Sequence, residues 1–210
     1  MGDSRAVLAR RKEVVDDNNA FSQALSSLLA SPKGKRGPFK TVQLTSDQNP
    51  SRPEERARII RSGGYVAPSE GSTTPLRVWL DKDCTTVGLA MTRCIGDLNV
   101  KTIGVIADPE VNSYKITAWD EFLIVASDGV WEFIESVEAV YIVGDYLEAG
   151  HSASEACIHL IQIAAKRWEQ YEGEYRDDIT AIVVRFSEIF EKPVLQEKPK
   201  ETDPQTCFCE

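Results

Sequence analysis

Histidine is scarce in this 210-residue chain: His151 and His159 are the only two. Neither pairs with a cysteine or serine in a nucleophilic arrangement, and His159 falls inside an amphipathic helical pattern, where it reads as structural. Acid–base chemistry by histidine therefore has little support. No apolar run reaches the roughly 20 residues that a membrane-spanning helix needs, and the start, Met1-Gly2-Asp3-Ser4-Arg5, is polar and carries no secretory signal. Cysteine is also sparse. The count of five is odd, and no spacing reads as a zinc site. Cys84, Cys94 and Cys157 lie in core or near-core segments, so reduced thiols in an intracellular compartment, cytoplasmic or nuclear, are the simplest expectation. Positive charge is in deficit: 24 lysines and arginines against 33 acids leave a net charge of -9, which argues against a nucleic-acid-binding surface.

What is present centres on Asp128. It follows an apolar strand, Phe122-Leu123-Ile124-Val125-Ala126, in the run Ser127-Asp128-Gly129-Val130-Trp131. A second acidic element, Arg176-Asp177-Asp178-Ile179-Thr180, precedes another apolar strand, Ala181-Ile182-Val183-Val184. A carboxylate at the end of a buried strand is costly unless something compensates it. Each aspartate taken singly reads as a helix cap or turn residue. Two of them brought together by adjacent strands suit a divalent cation, a hard ion that prefers oxygen ligands. Gly129 is expected to let the backbone turn sharply and leave the Asp128 carboxylate accessible.

At this length, with 42% hydrophobic residues, one domain with tails is expected. Residues 5–9 read as a strand with no lead-in, so the domain is expected to be incomplete at its amino terminus. Residues 14–40 read as an insertion: Phe21, Ala24, Leu25, Leu28 and Leu29 have helical spacing, and residues 31–38 form a basic loop. That helix is either a local packing lid or an element for a protein partner. A short strand is expected at 42–44, then a helix with a capping box of Ser51 and Glu54, stopped by Gly63-Gly64. Strands follow at 65–67 and 76–80, and extended segments at 105–107 and 111–116 flank a turn at Asp108-Pro109-Glu110. Two helices come after the Asp128 strand. One starts near Ser136. The second has Ser152 and Glu155 as a capping box and an apolar stripe through Cys157, Leu160, Ile161, Ala164, Ala165 and Trp168. A strand at 180–186 closes the domain, and residues 187–210 read as a disordered polar tail. Strict strand–helix alternation is absent, which favours antiparallel sheets with helices packed outside. In the tail, Cys207-Phe208-Cys209-Glu210 places a cysteine fourth from the end. Neighbours and final residue fit a prenylation box poorly, so Cys207 and Cys209 are weaker candidates for lipid anchoring than for an unmodified tail.

Several segments, in order, resemble the type 2C family of metal-dependent protein serine/threonine phosphatases. Gly2-Asp3-Ser4-Arg5 is similar to its Gly-Asp-Ser-Arg strand. Thr45-Ser46-Asp47-Gln48-Asn49-Pro50, with the helix and Gly63-Gly64 after it, is similar to its Thr-x-Asp-His-x-Pro segment. Leu89-Ala90-Met91-Thr92-Arg93-Cys94-Ile95-Gly96-Asp97 resembles its Leu-Ala-x-Ser-Arg-x-x-Gly-Asp, and Pro109-Glu110-Val111 its Pro-Glu-Val. The stretch from Asp120 to Trp131 matches its central acidic motif, and Asp177-Asp178-Ile179-Thr180 its Asp-Asn-Ile-Thr. The resemblance spans Gly2 to about Phe186. It implies an α+β fold, layered α-β-β-α: an antiparallel β-sandwich flanked by helices. It implies two Mg2+ or Mn2+ ions bridged by a water that attacks a phosphoserine or phosphothreonine of a phosphoprotein substrate. Carried over residue by residue, Asp128 and Asp177 are the expected metal ligands and Asp3 a ligand of a weaker third site. Glu132 and Asp178 stand in the outer shell, Asp178 replacing the family asparagine.

The family's amino-terminal motifs do not occur in this sequence. It contains no Asp-Gly-His-Gly-Gly, which would supply a bridging aspartate and an acid histidine, and no catalytic residue is identified. Arg93 and Arg176 are the local cations nearest the motifs, each equally readable as half of a structural ion pair. Two readings compete: part of a working phosphatase, or a catalytically inactive phosphatase-like binding module. A phosphotransferase with an aspartate nucleophile needs a second acid just after the first, which Ser127-Asp128-Gly129-Val130 does not supply.

Overall fold

The computed structural model describes residues 2–11, 38–69 and 75–189. The strands are β1 (Arg5–Arg11), β2 (Phe39–Gln43), β3 (Tyr65–Pro68), β4 (Leu76–Trp79), β5 (Asp120–Ala126) and β6 (Ala181–Arg185). The helices are α1 (Pro53–Arg61), α2 (Asp128–Trp131), α3 (Ser136–Glu148), α4 (Ala153–Glu172) and α5 (Phe186–Ile189), with a 3-10 helix at Leu98–Ile103. One sheet runs β2-β1-β5-β6 with every neighbour antiparallel, and β3 and β4 form a second antiparallel pair. This is the expected α+β class, with antiparallel sheets and flanking helices.

Period-two alternation builds the main sheet. Along β5, Asp120, Phe122, Ile124 and Ala126 are buried and the residues between them are half-buried. Val7 and Ala9 of β1 join them, and α3 and α4 cover this face with Ala139, Val140, Val143, Leu147, Ala156, Leu160 and Ala164. Each fully buried Leu, Ile or Phe contributes about 1.5–3 kcal/mol. Gly144 lets α3 sit against β2: a Cβ there would fall 2.2 Å from the Phe39 ring. Phe39 in turn packs edge-on against Phe122, with ring centroids 5.5 Å apart.

Some expectations fall outside the described residues, and others need correction. Residues 12–37 and 190–210 lie outside the described residues, so the helix expected within 14–40 and the cysteines of the tail are not seen. Phe39 and Lys40 belong to β2 rather than to an insertion, because they pair with Arg11 and Arg10 of β1. Past residue 187 the chain continues as α5 to Ile189. Ser51 and Glu54 form no capping box: Pro53 takes the first helical position, Arg52 becomes the N-cap residue, and its guanidinium holds the Glu54 carboxylate. The Ser152 and Glu155 box is present in both directions. Segments 105–107 and 111–116 contribute only an isolated bridge between Arg93 and Ile106.

A second apolar cluster joins α1, β4 and the 3-10 helix through Ile59, Val78, Cys94, Val100, Ile103 and Val105. Beside it lies Glu55, whose side chain is 0% exposed. Its carboxylate accepts two bonds of 2.7 Å from Arg58 and one of 2.6 Å from Arg93, and Thr92 Oγ1 also donates to it. Burial would raise the Glu55 carboxyl, but these donors hold it far below the ordinary value of 4.5. A depressed carboxyl stabilises the fold above its unfolded value and loses that contribution as pH falls below it. Glu55→Gln leaves two guanidinium groups without their shared anion and should cost about 3–5 kcal/mol. Urea denaturation at pH 7 would measure this. The wild type should weaken as pH drops below 4.5, and the variant should show a flatter acid dependence.

Candidate metal-binding edge

Backbone pairing alone brings three sequence-distant acids together. Arg5 pairs with Ala126, and Ala126 pairs with Ala181. The amino end of β1, the carboxy end of β5 and the amino end of β6 therefore share one edge of the sheet. Asp3 precedes β1, Asp128 follows β5, and Asp177 lies in the segment leading into β6. Burial raises the Asp128 carboxyl, and the charges of Asp3 and Asp177 raise it further. Burial likewise raises Asp3 against a backbone hydrogen bond, and Asp47, Asp177 and Glu132 push in the same direction. Like charges at short range disfavour ionisation, so the edge is electrostatically primed for a cation.

Local structure orients each acid. Ser127 connects the two motifs: its N–H bonds to the Thr180 carbonyl at 3.0 Å, and its Oγ donates to the Asp178 carbonyl at 3.0 Å and accepts from Thr180 N–H at 3.1 Å. Asp128 Oδ1 accepts from Gly129 N–H at 3.0 Å, and Asp177 Oδ1 accepts from Asp178 N–H at 2.7 Å. The chain does not turn away at Gly129 as expected. It enters α2, and Gly129 is required for a different reason: a Cβ there would lie 2.4 Å from the Asp178 carbonyl oxygen. The Asp177 segment rests against glycine backbone.

The sequence reading missed α2 and the two indoles that lock it. Trp131 Nε1 donates to the Ala126 carbonyl at 2.8 Å, and Trp168 Nε1 donates to the Gly129 carbonyl at 2.7 Å. Trp168 had read as ordinary core. Arg5 was also missed, although it stands two residues after Asp3. Its guanidinium grips Asp47 at 3.0 and 2.7 Å, donates to Ser136 Oγ at 2.9 Å and lies 5.3 Å over the Trp131 ring. It ties β1, the segment after β2, α2 and α3 around the acids. A cation next to a run of motif acids was the available signal.

The two cations named from sequence stand elsewhere. Arg93 is held by Glu55, by Glu110 at 3.2 Å and by the Asp108 carbonyl at 3.0 Å, a structural ion-pair role. Arg176 is exposed and lines a hollow of about 430 Å³ with Lys166, Glu169 and Glu174. Glu132 is exposed beside Trp131, and Asp178 is exposed beside Asp177. Among the described residues no group of three or more His, Cys, Asp or Glu is spaced as a ready-made metal cage. The donors are all carboxylates, the chemistry of a Mg2+ or Mn2+ site, and most of the coordination would fall to water.

Two measurements bear on this edge. Gly129→Ala should cost about 1–3 kcal/mol by forcing the Asp178 backbone aside, read by chemical denaturation. Asp128→Asn should behave oppositely. Its carboxyl is raised in the folded state, so neutralising it relieves repulsion at neutral pH. Without metal its Tm should rise, and the Tm gain that Mn2+ gives the wild type should disappear.

The comparisons with known proteins agree with one another. A family model described as Protein phosphatase 2C matches residues 1–170. The Oryza sativa subsp. japonica protein "Probable protein phosphatase 2C 12" is 37% identical over 183 residues, covering 87% of this chain and 40% of that protein. The Arabidopsis thaliana "Probable protein phosphatase 2C 18" is 38% identical over 183 residues, covering 87% and 31%. Among solved structures, a serine-threonine phosphatase 2C from Toxoplasma gondii superposes with a TM-score of 0.65 at 22% identity, over 88% of this chain and 52% of that one. This chain thus spans less than half the length of these two curated relatives.

Proposed function

The chain belongs to the protein phosphatase 2C family, and we propose that it is the carboxy-terminal part of a metal-dependent protein serine/threonine phosphatase. The observation that carries this reading is the shared sheet edge, where burial and the neighbouring charges, Asp177 among them, raise the Asp3 and Asp128 carboxyls. Such an arrangement is unfavourable unless a cation accompanies it. Asp128 and Asp177 would hold Mg2+ or Mn2+ directly, Asp3 would serve a weaker third site, and Glu132 and Asp178 would act through water. Ions held there would supply a water of lowered pKa and would offset charge growing on phosphoryl oxygens. The chain's own contribution is orientation. Ser127 links the Asp128 and Asp177 motifs, and Arg5 neutralises Asp47 so that it adds less repulsion to the cluster. Phosphoserine and phosphothreonine proteins are the proposed substrates. Three described cysteines, Cys84, Cys94 and Cys157, are free thiols, which suits an intracellular location.

One alternative has an observation behind it. The described residues include no ready-made three-ligand cage, and the sequence contains no Asp-Gly-His-Gly-Gly. A phosphatase-like module that binds phosphoproteins without hydrolysing them is compatible with both facts.

The deciding assay is Mn2+-dependent phosphate release from a phosphothreonine peptide by the 210-residue chain, with Asp128→Ala alongside. Turnover that falls at least about a hundredfold in the variant supports the phosphatase reading. A folded chain without turnover that still binds the peptide supports the binding module.

A further inference from the structure

Next to the acidic edge lies an aromatic surface that the metal site does not use. Phe133 follows Glu132, and Tyr175 precedes Arg176 and Asp177, so both ends of the surface connect to the edge. Tyr171 stacks on Phe133 with ring centroids 5.0 Å apart at 29°. Phe133 meets Trp168 edge-on at 4.8 Å, and Trp168 meets Tyr175 edge-on at 5.8 Å. The inner end is fixed, because Trp168 is 6% exposed and bonded to the Gly129 carbonyl. The outer end is open: Tyr171 is 60% exposed and Tyr175 is 63% exposed. Rings anchored in this way offer rigid π faces at little entropic cost.

Acids flank the two exposed rings. From Trp168 to Tyr175 the chain carries Glu169, Glu172 and Glu174 and no cation. The last turn of α4 contains no basic residue, although a helix carboxyl end is the negative pole and is stabilised by cations. Arg167, whose guanidinium donates to the Phe133 carbonyl, is neutralised by Glu138, and Lys166 and Arg176 line the hollow they share with Glu169 and Glu174. Exposed tyrosine faces, carboxylates and an uncompensated helix terminus all favour a guanidinium or ammonium group.

We propose that Tyr171, Tyr175 and the carboxylates of Glu172 and Glu174 form a docking surface for an arginine- or lysine-bearing stretch that flanks the phosphorylated residue of the protein substrate. The inference rests on the phosphatase reading for the phosphorylated residue and on the surface itself for the basic flank. It makes the chain selective for basic phosphopeptides.

The test uses the 210-residue chain and fluorescein-labelled peptides with arginine, glutamine or glutamate near a phosphothreonine, each with an unphosphorylated copy. Binding is read by anisotropy at several salt concentrations and turnover by phosphate release. The arginine peptides should bind about tenfold more tightly than the glutamine peptides, phosphorylated or not, and the advantage should shrink with salt. Tyr171→Ala with Tyr175→Ala should erase that advantage while leaving glutamine-peptide affinity unchanged, with circular dichroism confirming the fold. Glu172→Gln with Glu174→Gln should reduce it and flatten its salt dependence. An arginine preference that survives both double variants, or equal affinity for all three peptides, overturns the proposal even if turnover is normal. Absence of turnover with a tyrosine-dependent arginine preference instead counts against activity of this chain by itself and leaves the docking surface standing.

Discussion

The antiparallel register of β1, β5 and β6 is the constraint on which the rest of the molecule depends. Each residue pair across the sheet is set by backbone hydrogen bonds, and a slip of one residue would turn every apolar side chain to the wrong face. Val7, Ile124 and Val183 stand in register on the face that α3 and α4 cover. The same register delivers Asp3, Asp128 and Asp177 to one edge. The hydrophobic burial that holds the sheet together thus also holds the like charges together, against their repulsion.

Buried Glu55 and half-buried Asp3 and Asp128 show how differently the fold treats acids. Glu55 has guanidinium groups on two sides and a hydroxyl donor, so its charge is favoured despite complete burial. Asp3 and Asp128 have backbone donors and carboxylate neighbours, so their charge is disfavoured. The first pattern belongs to structure: Glu55 fastens α1 to the Thr92–Arg93 segment. The second is a strain that stability alone does not explain, since any neutral residue would relieve it. A divalent cation would convert that repulsion into attraction, which is why the edge rather than the Glu55 network reads as the functional centre.

The machinery around the acids is mostly uncharged or charge-neutralising. Trp131 and Trp168 hold α2 through carbonyl oxygens, Ser127 joins two motifs, and Gly129 lets the Asp177 segment close against α2. Arg5 gathers Asp47, Ser136 and Trp131 at the start of β1. Chemistry at this edge would depend on these contacts as much as on the acids, because metal ligands act only when their positions are fixed by a supporting shell.

Much of this was legible in the chain itself. Short apolar runs marked β5 and β6, the Ser152 and Glu155 pair marked the start of α4, and the acids after β5 and before β6 marked the edge. Local chemistry suffices for such features, since short apolar runs, caps and strand-end aspartates act over a few residues. Other features needed partners far along the chain. Ser51 and Glu54 satisfied a local rule, yet Pro53 and the Arg52 contact with Glu110 decided where α1 begins. Arg93 read equally as a cation of the site and as half of an ion pair until Glu55, 38 residues away, claimed it. Gly129 was read as the site of a sharp turn, and only the approach of the Asp178 carbonyl showed that empty space was what the site required. Residue type and local pattern determined the elements and the candidate acids. Which charge meets which, and which backbone comes close enough to exclude a side chain, was decided by the tertiary structure, because those contacts join residues that the sequence separates.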